Sequence, residues 1–333
     1  MTKGKNTMKE KILVWNINLA TNRNIEIPYF VGEEIKRQNS DFIILTEFCK
    51  TKNYEGFCHK YLKDNGYIYT ISNNSDKHND VLIAWKQEKF QLIEIKNEFQ
   101  TTETTPNFTY VLLKNKHGLE FVLAGIRITI ENYENRKKQF EFALNELRNY
   151  SYVIIGGDFN CLRRGTLLHS KWSLYVLSET SKEAGFALIT PKGQSIYTEK
   201  AISEDYEFAE DNFIVKGMTI ENELYDRDFA LKYSNVYLYE KNFSVYDSYL
   251  KRNKWSITIG SGIPDHAILN GYVCFDDNIY MKHQEDYLED EKYPVDKNLY
   301  PDSYVCPRCG RIIKNTGKFS SPDICDECYR KEE

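Results

Sequence analysis

Asp158 and Asn160 end a strand-like run, Tyr152-Val153-Ile154-Ile155, with Gly156 and Gly157 between. Side chains alternate along extended backbone, so this carboxylate and amide share a face while Phe159 turns toward the core. Such a pair, held at the mouth of a rigid strand, can handle a water, a metal or a phosphate. Gly-Asp-x-Asn is also ordinary turn chemistry, in which both side chains satisfy backbone groups, and the two glycines read as a sharp turn. Polar residues end three other buried runs. Asn16 and Asn18 follow Lys11-Ile12-Leu13-Val14-Trp15. Glu47 follows Phe42-Ile43-Ile44-Leu45-Thr46, and Asp265 and His266 precede Ala267 to Phe275. A carboxylate at a buried strand end is costly unless it is paired or binds a metal. The asparagines read either as turn formers or as neutral groups flanking a metal. Together the set offers hard oxygen ligands and one imidazole, the inventory for Mg²⁺-assisted phosphoryl chemistry.

Positioning these residues requires buried strands alternating with helices. Pro28 opens a helix with Phe30, Val31 and Ile35 inward, and a second helix runs from Tyr54 to Lys63. Further strands are expected near 67–71, 80–85, 90–96, 108–114 and 119–127. Asn132 to Asn149 carries the stripe Phe140, Leu144, Leu147 of an amphipathic helix, and Arg136, Lys137 and Lys138 read as its solvated face. A helix from Trp172 to Ala184 stops at Gly185. The acidic, weakly periodic stretch 199–224 reads as an insertion or flap, and a strand is expected from Asp228 to Tyr239. Arg163, Arg164 and Lys171 crowd the loop after Asn160 and are candidate phosphate contacts. Lys251, Arg252 and Trp255 form a basic loop with an aromatic, suited either to a nucleic-acid edge or to an ordinary surface loop.

The chain has 333 residues, 41% of them hydrophobic, enough to bury a large core. A net charge of −5 argues against coating nucleic acid by bulk charge, although a locally basic cleft remains compatible with it. The N-terminus lacks the apolar stretch of an export signal, and no window approaches a membrane span, so a cytoplasmic protein is expected. Of eight cysteines, Cys49, Cys58, Cys161 and Cys274 are scattered and read as reduced thiols. Cys306, Cys309, Cys325 and Cys328 form a C-x₂-C-x₁₅-C-x₂-C pattern that matches tetrahedral Zn²⁺ in a zinc ribbon. Such a metal would be structural, and the ribbon could bind nucleic acid, dock a protein or dimerise.

The motifs KILVWNIN at 11–18, DFIILTEF at 41–48, VIIGGDFN at 153–160 and PDHAIL at 264–269, in this order, resemble the endonuclease/exonuclease/phosphatase superfamily over roughly 8–275. The resemblance implies an α/β fold: a four-layer α/β sandwich of two mixed β-sheets flanked by helices, to which the cysteines add a small C-terminal zinc ribbon. It implies Glu47 as the main ligand of Mg²⁺ (or Mn²⁺), with Asn16, Asn18 and Asp265 around the ion. Asp158 would orient or deprotonate water, Asn160 would donate to the phosphoryl group, and His266 would act as acid–base or phosphate contact. An aspartate 25–40 residues earlier would orient the histidine, and Asp228 fits that spacing, with Asp226 as the fallback. Deoxyribonuclease-like members carry a second histidine where LAGIRIT places Arg127. Arginine cannot shuttle protons near neutral pH but can hold a phosphate or neutralise developing charge. The division expected is a catalytic domain over 8–275, a charged linker or arm over 276–302 and the ribbon over 303–330. The function expected is that of a nuclease acting by in-line water attack. The alternatives are a phosphomonoesterase or phospholipid/inositol-phosphate hydrolase on the same scaffold, or a non-catalytic binding module.

Overall fold

A computed structural model describes residues 9–18, 26–73, 79–100, 102–129, 132–164, 172–193, 195, 207–229, 238–247, 252–261, 264, 266–275, 303–305 and 312–314. Two six-stranded mixed sheets form its centre. The first has the order β13 (Thr219–Asp226), β16 (Ile268–Cys274), β1 (Lys9–Asn16), β2 (Phe42–Phe48), β4 (Asp80–Lys86), β3 (Tyr67–Ile71). The second runs β10 (Ala187–Ile189), β12 (Asp211–Lys216), β8 (Val153–Asp158), β7 (Glu120–Arg127), β6 (Asn107–Asn115), β5 (Phe90–Lys96).

Why these runs are nearly all apolar follows from the layering. Ile12 and Val14 join Ile154, Phe213 and Leu123 in a core between the sheets, whereas Leu13 and Trp15 face the helices α1 (Tyr29–Gln38) and α2 (Tyr54–Tyr61). On the far side, Val153 and Ile155 pack against α3 (Tyr133–Leu147) and α4 (Leu174–Glu183). Both faces of each central strand are therefore buried, which replaces alternation by a continuous hydrophobic run. The result is the four-layer α/β sandwich that the sequence motifs imply.

Helix ends are set by local chemistry. Asn39 takes a left-handed φ of 43° at the end of α1 and returns its N–H to Ile35. The Asn132 side chain caps α3 by accepting from the Asn135 N–H. These helices are crossovers: α1 joins β1 to its parallel neighbour β2, and α3 joins β7 to its parallel neighbour β8. Both crossovers leave carboxyl ends of strands at the same rim of the sandwich, carrying Asn16, Glu47, Arg127 and Asp158.

Gly156 and Gly157 do not make a turn. Both lie within β8, at ordinary φ, and their glycine identity answers to close approach. A Cβ on Gly156 would meet Val14 and Ile44 of the opposite sheet at 2.6 and 2.9 Å, and one on Gly157 would meet the Ile126 carbonyl oxygen at 1.8 Å. The backbone cannot yield as a flexible side chain would. Gly157→Ala is expected to cost about 1–3 kcal/mol, read as a lower thermal midpoint. An unchanged midpoint would show that the rim of β8 tolerates displacement.

The stretch 199–224, expected as a flap, contributes β11 (Glu207–Phe208), antiparallel to β9 (Leu162–Arg164), then β12 between β10 and β8 of the second sheet, and the start of β13 to the first; residues 199–206 lie outside the described residues. The strand expected from Asp228 to Tyr239 is absent at its start, where Asp228 and Phe229 are helical. The basic loop around 251–255 is instead the start of β15 (Arg252–Ser261), paired antiparallel with β14 (Leu238–Asp247). Near the C-terminus, β17 (Ser303–Val305) pairs antiparallel with β18 (Ile312–Lys314), and the sequence between them carries Cys306 and Cys309. All four ribbon cysteines and the linker 276–302 lie outside the described residues. No helix among the described residues is long and apolar enough to cross a membrane.

Candidate active site

Strand pairing builds the site. Arg127, the last residue of β7, pairs with Asp158, the last of β8, and Asp158 pairs with Asp211, the first of β12. Register partners share a face, so the three side chains form one row across the second sheet. That face is the inner one, because Asp158 keeps step with Ile154 and Gly156. Asn16, in step with Ile12 and Val14, comes to the same rim from the first sheet. Its amide nitrogen lies 3.0 Å from Asp158 Oδ2, and its oxygen accepts from the Asn18 N–H at 2.9 Å.

Glu47 reaches the rim by an irregularity. Strict alternation would turn it toward the helices, on the side of Leu45. Between Leu45 and Phe48 the register of β2 against β4 shifts, and Glu47 adopts φ 51°. The extra residue changes the step, so that Leu45 and Phe48 both join the helix-facing core and Glu47 turns inward. There Arg127 donates to Glu47 Oε1 through Nη2 at 2.6 Å and through Nε at 3.1 Å, while its Nε lies 3.6 Å from Asp158 Oδ2. Burial opposes the guanidinium charge, but Glu47 and Asp158 outweigh it and raise the Arg127 pKa. Asn18 and Asn160 also take left-handed φ, 50° and 48°. Three such non-glycine residues at one rim are a local concentration of backbone strain, a feature of functional sites.

Asp158 is the hub. It is 1% exposed, and its Oδ1 accepts from the Asn160 N–H at 2.8 Å. Asn160 Nδ2 reaches Asp158 Oδ2 at 3.2 Å and donates to the Ile128 carbonyl at 2.6 Å. Burial pushes the Asp158 pKa up, with Glu47 adding to the rise and His266 and Arg127 working against it. Arg136, expected on a solvated face, is instead buried and donates to the Asn160 carbonyl at 2.9 Å.

His266 Nδ1 lies 2.7 Å from Asp211 Oδ2, so Asp211 rather than Asp228 is the aspartate that orients this ring. Asp228 is exposed, its N–H donates to Asp226, and Asp226 accepts from Arg37 and Gln38. A proton held between Nδ1 and Asp211 leaves Nε2 turned to the Asn16 amide at 3.4 Å and Glu210 Oε2 at 3.5 Å. The His266 carbonyl accepts from Trp15 Nε1, and Tyr225 OH donates to the Asp211 carbonyl, so both partners are fixed from below.

Sequence reasoning missed Asp211 and Glu210. The available signal was the run Phe213-Ile214-Val215 directly after them, which marks a strand with two acids at its mouth. Asp265 lies outside the described residues, as do Lys171 and Lys251 and the side chains of Arg164, Arg252 and Trp255. Arg163 turns its guanidinium to the chain itself, donating to the carbonyls of Pro191 and Gly193, which does not support a free phosphate contact.

Glu47, Asp158, Glu210 and Asp211 face Arg127 and His266 among the described residues, an excess of negative charge even with the imidazole protonated. Donor atoms of Asp158, Glu210 and His266 lie within 4.8 Å of one another. Carboxylates in excess, with amide oxygens nearby, fit a hard divalent cation.

No family model and no curated protein matches the sequence. Solved structures do match. An endonuclease/exonuclease/phosphatase family protein from Bacteroides thetaiotaomicron aligns with a TM-score of 0.55 at 10% identity, over 81% of this chain and 99% of that one. D. rerio TDP2, complexed with a single-strand DNA product, aligns at 0.52 and 13% identity, over 80% and 98%. A mannosyl-6-phosphatase from Bacteroides thetaiotaomicron aligns at 0.51 and 10% identity, over 79% and 99%. The chain has the endonuclease/exonuclease/phosphatase fold.

Proposed function

We propose that the protein is a metal-dependent hydrolase of phosphate esters, acting as a nuclease on DNA or RNA. The observation that carries this reading is the in-register row Arg127–Asp158–Asp211, with His266 on Asp211 and Asn16 on Asp158. Glu47 would hold Mg²⁺ or Mn²⁺, with Asn18 and Asp265 beside it. Asn16 instead serves as a brace, since its amide and oxygen are engaged by Asp158 and Asn18. When bound, the ion supplies charge neutralisation at the phosphoryl oxygens.

Asp158 orients the attacking water and accepts its proton, a task favoured by the upward push of burial on its pKa. Asn160, held in a strained backbone by Arg136 and Ile128, presents its amide beside that carboxylate. His266, fixed by Asp211, serves the leaving oxygen or a phosphoryl oxygen from Nε2. Arg127 offers a fork of donors to the developing charge.

A polymeric substrate is favoured by the likeness in fold to a protein crystallised with a single-strand DNA product, and by the ribbon-like cysteines. The likeness to a sugar phosphatase favours a monoester as the second reading. Incubation with single- and double-stranded DNA and RNA, with Mg²⁺ or with EDTA, separates them. Metal-dependent cutting of a polymer is expected. Hydrolysis of a sugar phosphate or phosphoinositide with every polymer intact would refute the nuclease reading.

The C-terminal cysteines are proposed to hold one structural Zn²⁺. Cys49, Cys58, Cys161 and Cys274 are buried free thiols, and burial pushes Cys58 up to about 11 and Cys161 well above the ordinary thiol range. A disulfide reagent is therefore expected to find few reactive thiols in the folded chain, and four more once a chelator removes zinc. Four reactive thiols without chelator would exclude the metal.

A further inference from the structure

Arg127 already holds one oxygen of Glu47, the residue proposed to hold the cation. Both its Nη2 and its Nε donate to the same oxygen, Oε1, and the guanidinium also approaches Asp158. The two side chains are only 8% and 10% exposed, close to the 7% of His266, so the ion pair is nearly buried, though less deeply than the Asp158 and Asp211 side chains at 1% and 0%. A buried charge left without a partner is expensive, so the guanidinium leaves Glu47 only for another anion. A planar guanidinium fits a phosphate as well as it fits a carboxylate.

We propose that Arg127 is an internal competitor for the divalent cation on Glu47, so that cation and phosphate bind cooperatively. Without substrate, the guanidinium neutralises Glu47 and weakens its hold on the metal. A phosphate group that takes the Arg127 donors releases Glu47 to the ion. By linkage the ion strengthens phosphate binding by the same factor. Arg127 is thus a specificity-determining residue, restricting full metal occupancy to a site that already holds a phosphate. The proposal rests on Glu47 being a metal ligand, as the proposed activity requires.

The test is Mn²⁺ binding to the full chain, followed by electron paramagnetic resonance or calorimetry. Arg127→Gln, which keeps a hydrogen-bonding amide but loses the charge, is expected to bind Mn²⁺ about 10-fold more tightly than the native protein. A phosphorothioate-linked oligonucleotide that resists cleavage should tighten Mn²⁺ binding to the native protein by about 10-fold more than it does for Arg127→Gln, in which only the direct attraction between ion and phosphate is left. Arg127→Lys, which keeps the charge, should bind Mn²⁺ as weakly as the native protein, and thermal melts confirm that each variant is folded. Equal or weaker Mn²⁺ binding by Arg127→Gln overturns the competition even if the enzyme cuts nucleic acid. Tighter binding that Glu47→Gln abolishes, in a protein that hydrolyses no phosphate ester, would sustain the competition and sink the proposed activity. If Mn²⁺ binding is undetectable in all variants, both fall.

Discussion

Asp158→Asn is expected to lower kcat by about 10³-fold while leaving the protein folded, since proton transfer by a positioned carboxylate contributes roughly 10²–10⁴-fold. The replacement keeps the shape of the side chain and removes its charge and basicity. Four groups converge on this carboxylate: the Asn16 amide, the Asn160 N–H and amide, and Arg127. A change here therefore acts where water and phosphate would meet. Stability separates loss of chemistry from loss of fold. The folded pKa of Asp158 is raised by burial, so its ionisation opposes folding once pH rises through that value. Removing the charge relieves that penalty, while the new amide NH₂ must face a donor now aimed at Oδ1 or Oδ2, so only a small net change in thermal midpoint is expected at pH 7. A loss of activity below 10-fold, or a clear fall in midpoint, would move Asp158 from chemistry to architecture.

Asp211→Asn is expected to cost about 10²–10⁴-fold in kcat, because the amide can stabilise the wrong tautomer of the neighbouring imidazole. The His266 ring touches Asp211 at 2.7 Å, and Tyr225 and the pairing with β8 hold Asp211 in place. Its action through His266 makes it a positioning residue. The readout that marks that role is a displaced pH profile of kcat in Asp211→Asn relative to the native protein. Asp228→Asn, at the position the sequence spacing favoured, should leave both kcat and the profile unchanged. The reverse pattern would restore Asp228 to the histidine.

The contrast between those two aspartates shows what could be read in the chain. The buried runs around Ile12, Ile43, Leu123 and Ile154 reveal strands covered on both faces, and their polar ends gave Asn16, Asp158 and His266 directly. Asp211 escaped because charge dominates its neighbourhood. The segment 199–224 reads as an acidic flap, although Asp211 to Val215 within it form a strand buried on both faces. Distance added to the error: Asp211 stands 55 residues before His266, and the hairpin of β14 and β15 lies between them.

Glu47 and the glycines illustrate tertiary effects that periodicity does not carry. Alternation alone points Glu47 toward α1, and only the shifted register after Leu45 turns it to Arg127. Gly156 and Gly157 look like a turn in sequence, yet they exist because Val14, Ile44 and the Ile126 carbonyl come too close for a Cβ. Arg136 resembled two solvated lysines beside it, while the helix rotates it under Asn160. In each case the deciding neighbour is far away in the chain.

Hydrolysis in ¹⁸O-labelled water tests the central claim most directly. A panel of single- and double-stranded DNA, RNA and small phosphate esters is incubated with Mg²⁺ or Mn²⁺, and the products are weighed by mass spectrometry. The expected result is one ¹⁸O on the phosphate of the cleaved product, formed only with the divalent ion and lost in Asp158→Asn. Label on the sugar, a cyclic phosphate without label, or intact substrates throughout the panel would contradict water attack at phosphorus in this site.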